Sequence, residues 1–126
     1  MIKDDMYMRT VCLKNADNQP IYGWIRVENR PEKNALSVTV NGTLLPVLQP
    51  VLVKVRRLFD LQCDPDMVYN TLQAMNNIGP GFCVLGTRVP GCFNAFEMAV
   101  RAVLGQQISV KAAGTLAARL VSAFGT

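Results

Sequence analysis

The hydrophobic period of this chain changes once, near Leu44, and that change bounds the fold. Before it, apolar residues alternate. Residues 21–28 place Ile21, Gly23, Ile25 and Val27 on one side and Tyr22, Trp24, Arg26 and Glu28 on the other. A period of two sends successive side chains to opposite faces of a strand. Ala35–Val40 repeats the pattern, with Leu36, Val38 and Val40 against Ser37 and Thr39, and Met6–Lys14 is rich in strand formers. The joints at 15–20 and 29–34 carry the Asn, Asp and Pro that turns favour. Three antiparallel strands with one dry face follow.

Beyond the change, Leu44, Val47, Leu48, Val51, Leu52, Val55, Leu58 and Phe59 recur at helical spacing. Pro50 is tolerated only in a first helical turn, so the regular helix starts close to it. Lys54, Arg56 and Arg57 lie off the apolar stripe and read as its wet side. A helix laid on the dry face of a small antiparallel sheet makes an α+β unit, expected over residues 1–63.

Residues 64–126 read as the beginning of a helical domain. Asp64-Pro65-Asp66 is a helix start: a capping carboxylate, Pro in the first turn and a second acid near the positive helix end. Capping thus accounts for both acids without catalysis. Val68, Leu72 and Met75 are the expected inner face of that helix, and Gly79-Pro80-Gly81 closes it. Asn94-Ala95-Phe96-Glu97 matches a capping box, flanked by Phe93 and Met98 as a hydrophobic staple. Phe96, Ala99, Val100, Val103 and Leu104 form the stripe of the helix that follows. Gly105 is its expected left-handed terminator. After Gln106-Gln107-Ile108, Ser109 caps a last helix with the stripe Ala113, Leu116, Ala117, Leu120, Val121, Phe124, ended by Gly125.

Charge and composition narrow the chemistry. Thirteen Lys and Arg against nine Asp and Glu leave a formal +4, which permits a nucleic-acid partner without requiring one. There is no histidine, and the four cysteines are irregularly spaced with no Cys-x-x-Cys, so neither a zinc site nor a disulfide scaffold is expected. No metal or cofactor is called for. Residues 1–10 lack a signal-peptide core, and the apolar run 44–55 is broken by Pro46, Pro50 and Lys54, too short to span a membrane. A soluble cytoplasmic protein is expected. Tyr7, Tyr22 and Trp24 have the chemistry to stack on bases. In strands of a half-buried sheet, packing is the commoner role.

Leu58-Phe59-Asp60-Leu61-Gln62-Cys63-Asp64-Pro65, Val89-Pro90-Gly91-Cys92-Phe93-Asn94-Ala95-Phe96-Glu97 and Val103-Leu104-Gly105-Gln106-Gln107-Ile108-Ser109-Val110 together resemble the bacterial DNA-3-methyladenine glycosylase II family. The resemblance runs from about Arg9 onward and is strongest over 88–125. The Leu-Gly-Gln-Gln-Ile-Ser turn is shared across the wider helix-hairpin-helix glycosylase superfamily; the Leu-Phe-Asp-Leu-Gln-Cys segment narrows it to this family. The resemblance implies removal of alkylated bases such as 3-methyladenine from double-stranded DNA, by cleavage of the N-glycosidic bond without metal or cofactor. It implies an α+β domain followed by helical domains around an aromatic cleft that receives the flipped base. The leaving base is cationic, so such an enzyme needs aromatic stacking and a carboxylate opposite an electron-poor sugar.

By position Gln107 matches the residue that such enzymes insert into the gap left by the flipped base. Gln106, Ser109 and Lys111 are the other expected DNA contacts, with Ser109 more securely a helix cap and Lys111, like Arg101, equally suited to a solvated face. No match exists here for the family's glycine-rich hairpin, for its catalytic Asp or for an opening strand and helix. The chain therefore reads as part of a longer protein, without a catalytic residue of its own, expected to be inactive alone and to self-associate through exposed core surface. Two rival readings stand beside this one: a fragment of an 8-oxoguanine-type glycosylase, and a non-catalytic DNA-binding or regulatory module.

Overall fold

The computed structural model describes Ile2, Lys3 and residues 6–125, and divides the chain into two compact units, Met1–Val55 and Arg56–Thr126. The first unit is built on an antiparallel sheet of β1 (Ile2–Lys3), β2 (Met6–Lys14), β3 (Pro20–Arg30) and β4 (Ala35–Val40), in that order. The last three are the strands that the alternation predicts. β1 is an addition: two residues, pairing Ile2 with Tyr7 and Lys3 with Met6, are too few to show a period.

Register follows from the alternation. Val11 lies opposite Gly23, Arg9 opposite Ile25 and Tyr7 opposite Val27, while Ile25 and Val27 meet Val40 and Val38 on the other side. Val11, Ile25 and Val27 are buried. The β2–β3 turn is tied by the Asn15 side-chain oxygen, which accepts from the amides of Asp17 (3.0 Å) and Gln19 (2.9 Å). β3 runs to Arg30, further than its alternating part. A single 3-10 turn, Pro31–Lys33, then leads into Asn34, whose left-handed backbone (φ 46°) starts β4.

After β4 a 3-10 segment, Gly42–Val47, delivers the chain to α1 (Leu48–Leu58), with Pro50 in its first turn as expected. The 3-10 segment crosses β3 at Gly23. The Thr43 hydroxyl donates to the Tyr22 carbonyl (2.6 Å) and the Asn41 amide to that of Trp24 (2.9 Å). Leu44, Val47, Val51 and Val55 join the buried strand residues as the core of this unit. Burial of each such side chain contributes about 1.5–3 kcal/mol.

The second unit holds α2 (Pro65–Leu72), α3 (Ala95–Leu104) and α4 (Val110–Phe124). Asp64 caps α2 through bonds from the amides of Asp66 (3.0 Å) and Met67 (3.3 Å). A 3-10 turn, Gln73–Asn77, continues it. The expected inner face of α2 is not enclosed: Leu72 and Met75 are 43% and 42% exposed. Side-chain staples order the loop that follows. Asn76 donates to and accepts from the backbone of Cys83 (3.0 and 2.9 Å). The Asp60 carboxylate, on a residue with φ 51°, accepts from the Val89 amide (3.1 Å), and Arg88 donates to the carbonyls of Asp60 and Cys63. Gly91 then comes so close to Arg57 that a Cβ would strike its carbonyl oxygen, and the Gly91 amide donates to the Leu58 carbonyl (3.0 Å). Among the described residues no helix is long and apolar enough to cross a membrane, and no group of three or more His, Cys, Asp or Glu is placed to hold a metal.

Candidate nucleic-acid interface

Two capped helices and the turn between them form the candidate site. α3 starts where the capping signal places it: the Asn94 side-chain oxygen accepts from the Glu97 amide (3.1 Å). The Glu97 carboxylate in turn receives Arg101 Nε (3.0 Å), one helical turn on. That pair engages Arg101 along its own helix.

The turn corrects one expectation. Gly105 is not left-handed; it keeps helical backbone (φ −86°, ψ −6°), and its amide bonds back to the Arg101 carbonyl (2.9 Å). The left-handed residue is Gln107, with φ 57°. The helix still ends at Leu104, with Gly105 as its cap, and the chain reverses at a side chain rather than at a glycine. A non-glycine residue in this region costs of order 1–3 kcal/mol.

Gln106, Gln107, Ile108 and Ser109 are all exposed. Ser109 caps α4, its hydroxyl accepting from the Ala112 amide (3.2 Å). Lys111 stands exposed in the first turn of α4. The four expected contacts, Gln106, Gln107, Ser109 and Lys111, therefore sit within six consecutive positions at one end of the hairpin, beside the positive end of a 15-residue helix dipole. Polar side chains, a cation and free helix-terminal amides are a combination that suits a phosphate backbone.

Behind the turn lies an apolar cleft of about 660 Å³ between α3 and α4, lined by Phe96, Val100, Val103, Leu120, Val121 and Phe124 among others. Phe96 and Phe124 are 78% and 81% exposed. The stripes predicted for the two helices thus face each other across an open groove.

By fold, this is an α+β chain in which a sheet unit precedes a stapled loop and a capped helical hairpin with a polar turn. The chain belongs to the AlkA N-terminal domain family, whose model matches residues 1–94. It is 41% identical over 93 residues to DNA-3-methyladenine glycosylase 2 of Escherichia coli (strain K12), covering 74% of this chain and 31% of that protein. It is 42% identical over 79 residues to a probable bifunctional transcriptional activator/DNA repair enzyme AlkA of Mycobacterium tuberculosis (strain CDC 1551 / Oshkosh), covering 62% of this chain and 16% of that protein. The chain thus spans less than a third of the length of these relatives. The family match ends at Asn94, so the hairpin turn lies outside it.

Proposed function

We propose that this chain is the sheet domain and first helical hairpin of a base-excision repair glycosylase, acting in the cytoplasm on alkylated bases of the 3-methyladenine type in double-stranded DNA. The observation that carries this reading is the backbone of Gln107, held left-handed and exposed between two capped helices. The identity to a DNA-3-methyladenine glycosylase supports it. In this reading Gln107 enters the duplex and fills the space of the flipped base, while Gln106, Ser109 and Lys111 meet the flanking backbone. Base release then needs a carboxylate that this chain does not supply, so the chain alone leaves alkylated DNA intact.

The test is Gln107→Ala in the full-length parent, read as affinity for DNA carrying an abasic-site analogue. Alanine has the same left-handed penalty in kind, so fold stability should change by about 0.5 kcal/mol or less, while binding falls about tenfold or more. Unchanged binding with a large drop in melting temperature would make Gln107 a structural turn residue and overturn the reading.

A further inference from the structure

The sheet face turned away from the core carries an ordered row of side chains that the hairpin reading does not use. Along β3 it presents Tyr22, Trp24, Arg26, Glu28 and Arg30. Tyr22 is 58% exposed and Trp24 38%. Of these expected packing residues, Tyr22 stands largely in solvent and Trp24 is partly open to it. Their cross-strand neighbours on β2 are Cys12 and Thr10, side chains too small to cover the rings fully. β4 pairs with β3 only from Ile25 onward, so no strand flanks the rings on that side. Among the described residues, neither the Tyr22 hydroxyl nor the Trp24 indole N–H has a hydrogen-bond partner, although buried rings of these types usually find one.

The charges around the rings are complementary to an anionic chain. Among the described residues, Lys14, Arg26 and Arg30 share this face with one carboxylate, Glu28, which lies 3.4 Å from Arg26 Nε and 3.2 Å from Arg30 Nη2. Both arginine side chains remain about half exposed, at 41% and 50%. The 3.4 Å Arg26 contact is an ion pair without hydrogen-bond geometry; Nε itself is buried, so the exposed remainder of the guanidinium is what a phosphate can meet. The backbone beneath the rings is pinned, since the carbonyls of Tyr22 and Trp24 accept from Thr43 and Asn41.

We propose that this face binds single-stranded nucleic acid, with successive bases stacked on Tyr22 and Trp24 and the strand's phosphates beside Arg26 and Lys14. Same-face residues of a strand are about 6.6–6.8 Å apart, twice the roughly 3.4 Å rise of stacked bases. An unstacked, stretched strand therefore meets one ring per base, whereas a closed duplex offers no base faces. Ring stacking with cations along the backbone is the general physics of sequence-tolerant single-strand binding. The residues of this face are other than those of the hairpin turn.

Trp24 is the only tryptophan of the chain, so its fluorescence reports directly on the site. Titration with a short oligothymidylate should quench it saturably, and added salt should weaken binding. Anisotropy of a labelled oligonucleotide should show roughly ten- to hundredfold weaker binding for Tyr22→Ala or Trp24→Ala, with Trp24→Phe close to wild type and circular dichroism unchanged in all three. An oligouridylate titration identifies the strand: equal binding assigns recognition to bases and phosphates that DNA and RNA share, and weaker binding assigns it to DNA. Gln107→Ala should leave these titrations unchanged, which separates a failure here from a failure of the hairpin reading. Absence of quenching, duplex bound as tightly as single strand, or alanine variants that bind like wild type would overturn the proposal.

Discussion

Gly23→Ala isolates the contact on which the first unit is assembled. Gly23 lies on the inward face of β3, where the 3-10 segment crosses it. A Cβ there would stand 2.6 Å from Leu44 Cγ and 2.8 Å from Thr43 Oγ1. Leu44 has no room to yield, and Thr43, though exposed, yields only by giving up its hydroxyl's bonds. Leu44 is fully buried, and the Thr43 hydroxyl is held between the Tyr22 carbonyl and the Asn41 side chain. Overpacking of this kind costs about 1–3 kcal/mol. With a urea slope of about 2 kcal/mol/M for a small domain, a loss near 2 kcal/mol lowers the unfolding midpoint by about 1 M. Gly42→Ala is the matched control: nothing lies within 4 Å of its added Cβ, so alanine should be neutral or stabilise by about 0.4–1 kcal/mol. In a Leu44→Ala background the cost of Gly23→Ala should shrink, because the Cγ and Cδ1 clashes are gone and only the Thr43 Oγ1 contact remains. Equal urea midpoints for the two glycine variants, or an undiminished cost in that background, would refute the crossing as the constraint.

Two further outcomes follow from the second unit. Gly91→Ala drives a methyl into the Arg57 carbonyl and should destabilise this unit by more than about 2 kcal/mol, seen as early loss of amide protection at Gly91 and Val89. Gln107→Gly should raise thermal stability by about 1 kcal/mol by relieving the left-handed backbone, while weakening the parent's affinity for an abasic-site analogue; a stability loss would contradict the backbone assignment.

What could be read in advance was whatever is local in the chain. The inward set of Ile21, Gly23, Ile25 and Val27, the caps at Asp64, Asn94 and Ser109, and the placement of Pro50 are each encoded within a few residues, and each is found. The turn lies where the residues place it, but its left-handed residue is Gln107, two positions beyond Gly105, because glycine's tolerance of positive φ marks where such backbone is cheap, and Gln107 adopts it where it is not. The staples of the second unit gave no signal. Asp60 and Val89 are 29 residues apart, and a carboxylate facing a distant amide leaves no periodic trace in either segment. Tyr22 and Trp24 were assigned to the correct face, but alternation cannot tell whether the outer face of a sheet is covered.

The Asp60–Val89 and Leu58–Gly91 bonds have a consequence for how such a chain can change length. They pin both ends of the intervening segment, making it a closed excursion that leaves and returns at one place. The free energy of closing a loop grows only with the logarithm of its length, about 0.6 kcal/mol per doubling. Insertions or deletions between the two clamps therefore leave the start of α3 where it is. Within this unit, the Arg88 bonds to Asp60 and Cys63 leave residues 64–87 as the stretch whose length can drift without disturbing the helical hairpin.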